Sequence, residues 1–323
     1  MRSARREAIT KNESMADSAI SALSNFSLRS EQPFSLSITM PRIPLEDNYT
    51  DVLGKAQRGL KLTDAQIAAR AEVSPSDLAA LKAGQFNEAV ARRVARHLKL
   101  HPAALVQLAG KKWYPEHPVF HSGFAAFNAV CGDMTVNSYV VWDHKLRHAA
   151  IFDPGASGDA LIDFINVEKL SPRQIFLTHA HEDHIADLEK VLAAFGAKVN
   201  PPVEVWISER ELADVPVGAG AKPFADNAIF YIGNIALRSY PTSGHSPGGT
   251  TYYADALSYP LAIVGDSLFA ASMGGSMDAY DAAVKNNWKY VLSLPNNTVL
   301  ACGHGPLTTV AQEKKNNPFF ARW

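Results

Sequence analysis

The sequence predicts an α+β protein with two structured parts, a small all-helical unit followed by a larger unit in which strands and helices alternate. Two observations predict this division. Between residues 47 and 110, apolar residues recur at helical spacing and are interrupted by helix-capping residues. From residue 111 onward, short runs rich in Val, Ile, Tyr and Phe alternate with helical segments, which is typical of sheets covered by helices.

The composition is that of an ordinary globular protein. The 323 residues include 47% hydrophobic side chains and carry a net charge of −1, which indicates no general attraction to nucleic acid or to anionic membranes. The two cysteines, Cys131 and Cys302, are too few for a disulfide framework, so we expect a reducing, cytoplasmic compartment. No apolar run approaches the length of a membrane span.

Residues 1–46 predict an extension that precedes the folded units. This segment is rich in Ser, lacks sustained periodicity and has no continuous apolar stretch of the kind found in secretory signals. We interpret it as a disordered extension. Organelle targeting is the alternative, because Ser and Arg are frequent there, although four acids lie among its first 31 residues.

Capping residues divide residues 47–110 into short helices. Thr63 and Asp64 are typical of a helix N-terminus, Ser74 followed by Pro75 begins the next helix, and Gly84 ends it. Helix spacing and apolar positions over about 60 residues resemble the helix-turn-helix of phage repressors and Cro. This resemblance implies a DNA-binding regulator as one hypothesis for the whole protein, with the second unit sensing a small molecule.

The candidate recognition helix is poor in positive charge. Its sequence, SPSDLAALK, offers Lys82 as the only cation and also contains Asp77, whereas contacts to phosphate need several cations. Arg92, Arg93 and Arg96 in the following helix could add to them. We therefore expect docking, homodimerisation or shaping of a pocket for this unit, with DNA binding as the less favoured alternative.

The most informative stretch is LTHAHEDHI, which places three of the eleven histidines within six residues. The residues QIFL, of which three are apolar, predict a strand that leads directly into the cluster. Side chains two apart on extended backbone point to the same side, so His179 and His181 should face one spot, and Asp183 and His184 begin the next helix. Imidazole and carboxylate ligands suit Zn, Fe or Mn.

Three further ligand types follow predicted strands. His245 lies in the loop PTSGHSPGG, Asp266 ends the strand LAIVGD, and His304 ends the strand TVLACGH. The order HxHxDH, His, Asp, His resembles the metallo-β-lactamase fold superfamily over about 210 residues. The segments GHSPGGTTYY, GDSLFAASMGGS and LACGHGPLTT resemble its glyoxalase II-like branch, the hydroxyacylglutathione hydrolases and their short relatives.

This resemblance implies an αβ/βα sandwich of two central mixed sheets with helices outside. It also implies two divalent metal ions, expected to be zinc with iron or manganese as alternatives. The first would be held by His179, His181 and His245, the second by Asp183, His184 and His304, and Asp266 would bridge them. Asp183 is the candidate catalytic residue, because it could bind metal and orient the attacking hydroxide.

The expected activity is hydrolysis of a small-molecule thioester or related ester by a metal-bridged hydroxide. The sequence shows no counterpart of the C-terminal helical domain that binds glutathione in full-length glyoxalase II, so the thiol portion of the substrate stays open. The alternative enzyme resembles a persulfide dioxygenase, with one iron held by His179, His245 and Asp266.

Overall fold

The computed structural model describes residues 42–117, 119–120, 122–196 and 201–321, which belong to one compact unit. The predicted extension of residues 1–46 lies outside the described residues, apart from its last five. Among the helices of the described ranges, none is both long and apolar enough to cross a bilayer. The predicted all-helical segment and the mixed segment that follows it are both confirmed.

Five short helices form the N-terminal part, and side-chain caps begin each of them. In the first two, the N-cap residues Asn48 and Thr63 form capping boxes with Asp51 and Gln66. Ser74 accepts a hydrogen bond from the amide of Asp77, so both predicted N-caps, Thr63 and Ser74, are confirmed. The helices are α1 (Tyr49–Gly59), α2 (Asp64–Ala71), α3 (Pro75–Lys82), α4 (Glu88–His97) and α5 (Pro102–Ala109).

The first sheet has six strands in chain order. The first three strands pair antiparallel, whereas the third to sixth run parallel. The strands are β1 (Phe124–Cys131), β2 (Met134–Trp142), β3 (His148–Phe152), β4 (Ser171–Phe176), β5 (Glu204–Ser208) and β6 (Lys222–Phe224). The helices between them are α6 (Asp159–Val167), α7 (Glu182–Ile185) and α8 (Leu188–Phe195).

The second sheet also has six strands and is antiparallel except where its fourth and fifth strands pair in parallel. Its strands are β7 (Ile229–Ile232), β8 (Ile235–Pro241), β9 (Thr250–Ala254), β10 (Leu261–Gly265), β11 (Val299–Cys302) and β12 (Thr308–Thr309). The helices are α9 (Tyr280–Asn286), which continues into a π-helical turn (Asn287–Val291), and α10 (Val310–Asn316).

Three hydrophobic clusters define the layers. One lies between the sheets and includes Phe152, Phe176 and Tyr252, whose rings contact one another. A second packs α6 and α8 against the outer face of the first sheet. The third covers the second sheet with helices on its other face. The expected αβ/βα sandwich is therefore confirmed.

The third cluster also joins the N-terminal helices to the sandwich. Burial of apolar surface is the main favourable contribution to folding, so a shared cluster makes the two parts stabilise each other. The predicted domain boundary at residue 110 stays a prediction, since buried apolar residues from both sides of it belong to this one cluster. Members from both sides that are at most 2% exposed include Leu53, Ile67, Leu81, Val264, Leu300 and Phe320.

Two details differ from the sequence-based expectation. Strands β1, β6 and β12 do not coincide with the apolar runs that predict strands, and the helix expected to begin at Asp183 and His184 is broken into α7 and α8. The break lies at Asp187, whose carboxylate accepts a hydrogen bond from the amide of Gly158 and whose own amide donates to the carbonyl of Gly155. This competition from a neighbouring loop diverts the backbone from a continuous helix.

We predict that the two glycines of α1 respond oppositely to alanine. A Cβ on Gly59 would lie 2.2 Å from Cδ2 of Tyr280, whereas one on Gly54 would meet only the guanidinium end of Arg58 at 3.0 Å. Alanine otherwise stabilises a helix interior by roughly 0.5–1 kcal/mol relative to glycine. Gly59→Ala should lower the free energy of unfolding in urea by about 1–3 kcal/mol. Gly54→Ala, the control, should leave it equal or higher, and an unchanged Gly59→Ala protein would contradict the packing.

Candidate metal centre

The seven predicted ligands converge where strands of both sheets end. His179 lies three residues after the end of β4, and His181 is the N-cap of α7, which carries Asp183 and His184. The other three lie in loops between strands of the second sheet. His245 lies between β8 and β9, Asp266 directly follows β10, and His304 follows β11. Residues more than 120 positions apart in the sequence therefore share one site.

Three imidazoles form the first group. Nδ1 of His181 lies 3.0 Å from Nε2 of His179 and 3.0 Å from Nε2 of His245. Two nitrogens that bind the same zinc ion at about 2.0–2.1 Å with tetrahedral geometry would be about 3.3 Å apart. The three ring nitrogens therefore have nearly the spacing of ligands around one ion.

The second group contains Asp183, His184 and His304. Oδ2 of Asp183 lies 3.2 Å from Nε2 of His304 and 3.5 Å from Nε2 of His184. The ligand atoms of each group lie within 4.8 Å of one another. The structure thus brings together the same two sets of three that the resemblance implies.

Asp266 lies between the two groups. Its Oδ2 is 3.3 Å from Nε2 of His245 and 3.4 Å from Nε2 of His304, and its Oδ1 is 3.3 Å from Nε2 of His184. One carboxylate therefore faces ligands of both groups. This is the position that a residue bridging two ions would occupy.

The donor atoms fit divalent metal ions. Nε2 of His184 and Oδ1 of Asp266 are buried and make no hydrogen bond within the described residues. A buried polar atom without a partner costs about 1–3 kcal/mol, and native proteins rarely leave one without a reason. Five imidazoles and two carboxylates form a ligand set that suits Zn, Fe or Mn. Metal coordination would satisfy both atoms.

Charges within the site keep its carboxylates ionised. Burial raises the pKa of Asp183, but the hydrogen bond from His304 and the charge of His184 lower that pKa to about 2. Burial lowers the pKa of His304 and His184, but Asp183 and Asp266 raise the pKa of His304 to about 11, and Asp266 and Asp153 raise that of His184 to about 10. The carboxylates therefore favour positive charge at these positions, which bound cations would supply.

Residues outside the ligand set orient the rings. Oδ2 of Asp153 lies 3.0 Å from Nδ1 of His184 and accepts a hydrogen bond from the hydroxyl of Thr178. Backbone carbonyls orient two other rings. Nδ1 of His245 lies 2.9 Å from the carbonyl oxygen of Gly275, and Nδ1 of His304 lies 2.6 Å from that of Thr135. With Nδ1 held in this way, Nε2 of each ring faces the site.

Sequence reasoning missed two buried residues that hold the ligand loops. The carboxylate of Glu211 accepts hydrogen bonds from the amides of Ala180 and Gly248, and so joins the loop of His179 to that of His245. The side-chain amide of Asn137 donates to the carbonyls of Cys302 and Gly305, on either side of His304. The only signal for Asn137 was its polarity within an apolar strand; for Glu211 there was none.

Glycine is required where the loops approach most closely. A Cβ on Gly303 would lie 2.1 Å from Oδ1 of Asp266 and 2.8 Å from Cε1 of His184. Any larger residue would displace Asp266, which lies between the two groups, and His184 of the second group. The loop of β11 can therefore bring His304 into the site only because position 303 lacks a side chain.

The chain belongs to the metallo-beta-lactamase superfamily, whose family model matches residues 131–304. Probable metallo-hydrolase YqgX of Bacillus subtilis is 36% identical over 210 residues, which are 58% of this chain and 93% of that protein. Hydroxyacylglutathione hydrolase GloC of Haemophilus influenzae is 26% identical and covers 57% of this chain, with 92% of its own length matched. The crystal structure of BLEG-1 B3 metallo-beta-lactamase is similar with a TM-score of 0.51 at 31% identity, over 61% of this chain and 100% of that one.

We predict that Asp153→Asn weakens metal binding at the second group. The amide would present Nδ2 or Oδ1 to a ring nitrogen that now faces a carboxylate, so His184 would lose its fixed orientation. Zinc affinity at that group should fall about 10–100-fold. Titration of zinc against a competing chelator would measure the two affinities separately. Asp159→Asn, whose carboxylate is exposed and pairs with Lys190, is the control. Unchanged affinity in Asp153→Asn would contradict the orienting role.

Proposed function

We propose that this protein is a two-metal hydrolase that cleaves thioesters or related esters of small molecules. The observation that carries the proposal is the convergence of seven ligand side chains in two groups of three around Asp266. Membership of a superfamily of metallo-hydrolases supports it, and so does the similarity to a protein named hydroxyacylglutathione hydrolase.

In this proposal, His179, His181 and His245 hold the first ion, and Asp183, His184 and His304 hold the second. Asp266, which faces imidazoles of both groups, would be shared between the two ions. Two divalent ions so placed lower the pKa of a bound water to about 7 and polarise a carbonyl oxygen. Zinc is the expected metal, with iron or manganese as alternatives, because imidazole and carboxylate ligands accept all three.

Asp183 has the properties that an orienting carboxylate needs. Its side chain is 21% exposed, whereas that of Asp266 is 8% exposed, so a water molecule reaches Asp183 more readily. The lowered pKa keeps it ionised at neutral pH, and it can therefore accept a hydrogen bond from the attacking water. A thioester suits such a site, since a thiolate with a pKa of about 8.5 leaves without a strong general acid.

DNA binding is not part of the proposal. Three of the cations on the helical unit that could contact phosphate are paired with carboxylates: Lys82 with Asp64, Arg92 with Glu88, and Arg93 with Glu72. A phosphate would have to compete with these pairs.

The test is hydrolysis of simple acetyl thioesters by zinc-loaded protein, with His181→Ala and His144→Ala as matched variants. His181 belongs to the first group only, so its loss should lower kcat/KM about a hundredfold or more, because metal coordination supplies several kcal/mol to the transition state. His144 is an exposed histidine in a turn, and its replacement should change kcat/KM less than twofold. Oxygen uptake on a persulfide by an iron-loaded protein without thioester turnover would contradict the proposal and favour the dioxygenase.

A further inference from the structure

A nearly buried ion pair of the N-terminal segment lies against the loop that follows Asp266. It joins Lys55 of α1 to Asp47, which lies two residues before that helix, and the two side chains are only 15% and 8% exposed. Removing two charges from water costs free energy that their mutual attraction often fails to recover. The pair therefore calls for an explanation beyond its own contribution to stability.

Both members of the pair bind the loop that follows Asp266. The ammonium of Lys55 donates a hydrogen bond to the carbonyl oxygen of Met273 at 2.9 Å. The carboxylate of Asp47 accepts a hydrogen bond from the hydroxyl of Ser272. The residue after Met273 donates its amide to the carbonyl of Asp266 at 3.0 Å. The pair thus holds the loop at the point where it closes on the residue that lies between the two metal groups.

The ammonium of Lys55 also contacts the ring on which His304 packs. Its Nζ lies 5.0 Å from the ring centroid of Phe269, which is within the range of a cation–π contact. The ring of Phe269 packs edge-on against that of His304, with 5.5 Å between the two centroids. Phe269 is 3% exposed, so its neighbours fix its position. One ammonium group therefore supports both the loop of Asp266 and the imidazole of His304.

The residue before the pair packs on the loop of His304. A Cβ on Gly305 would lie 3.2 Å from the amide nitrogen of Glu46 and 3.6 Å from its Cβ. Burial raises the pKa of the Glu46 carboxyl, and the charge of His304 opposes this rise. The segment that leads into α1 is therefore in contact with the loop of His304 as well as with that of Asp266.

We propose that Lys55 and Asp47 are positioning residues of the metal centre, which hold the loops of Asp266 and His304 in the geometry that binds the second ion. This inference rests on the two-metal site of the proposed function. Both residues precede residue 131, where the match to the superfamily model begins, so membership of the superfamily does not account for them. The N-terminal helices then serve to complete the metal centre.

Charge and positioning predict opposite effects of removing the ammonium of Lys55. A cation beside the site repels bound metal ions, so its loss would by itself strengthen zinc binding. Loss of its contacts with Met273 and Phe269 would instead release the loop of Asp266 and weaken zinc binding. The direction of the change in zinc affinity therefore distinguishes the two effects.

The test is titration of the metal-free protein with zinc against a competing chelator. Lys55→Met keeps an unbranched side chain but removes the charge, and it should weaken zinc binding at the second group about tenfold. The first group should change less, because His179 and His181 belong to the loop after β4. Lys55→Arg should keep most of the affinity, since a guanidinium retains the charge and the donors. Lys82→Met, which breaks a more exposed pair with Asp64 within the helices, is the control and should change neither affinity.

A double variant separates positioning from folding. Lys55→Met alone leaves the carboxylate of Asp47 without its cation, which should lower the midpoint of thermal unfolding. Asp47→Asn combined with Lys55→Met leaves no unpaired charge, so the midpoint should recover, whereas zinc binding at the second group should stay weak. Wild-type zinc affinity in this folded double variant, or tighter zinc binding in Lys55→Met, would overturn the proposal.

Thioester hydrolysis by the same proteins distinguishes this inference from the proposed function. Zinc affinity that depends on Lys55, in a protein that hydrolyses no thioester, would leave the positioning role standing and remove the proposed function. Hydrolysis by the wild type, with equal zinc affinities in the wild type, Lys55→Met and the double variant, would overturn the positioning role alone.

Discussion

The carboxylate of Asp266 contacts three imidazoles at once, and much of the structure serves to make this contact possible. A buried negative charge is costly unless opposite charges or hydrogen bonds surround it. Here His184, His245 and His304 supply the contacts, and each is delivered by a different loop. The arrangement leaves Oδ1 of Asp266 and Nε2 of His184 without hydrogen bonds, which is why cations are its natural complement.

The two sheets meet this constraint by ending their strands at a common edge. Asp266 directly follows β10 and His304 follows β11, and these two strands are the one parallel pair of the second sheet. The first sheet contributes the loop after β4, which Glu211 joins to the loop of His245. Gly303 allows the final approach. The ligands are thus held by hydrogen bonds and backbone contacts from residues outside the ligand set, which is the preorganisation that metal sites need.

Local pattern was sufficient for most of the fold and for all seven candidate ligands, because each ligand lies at the end of an apolar strand or in a loop rich in Gly, Pro and Ser. Local pattern failed where contacts between residues distant in the sequence determine the structure. The break between α7 and α8 depends on two hydrogen bonds with a neighbouring loop. The carboxylate of Asp187 accepts one from the amide of Gly158, and the amide of Asp187 donates the other to the carbonyl of Gly155. Strand β1 alternates intermediate and exposed residues over most of its length, so it lacks the apolar run of a buried strand.

The most direct measurement of the central claim is the anomalous scattering of zinc in crystals of the metal-loaded protein. The account predicts two peaks, one within about 2.3 Å of a nitrogen of each of His179, His181 and His245, and the other at the same distance from ligand atoms of Asp183, His184 and His304. Asp266 should lie between them. A single ion held by His179, His245 and Asp266, or no ion among these seven residues, would contradict it.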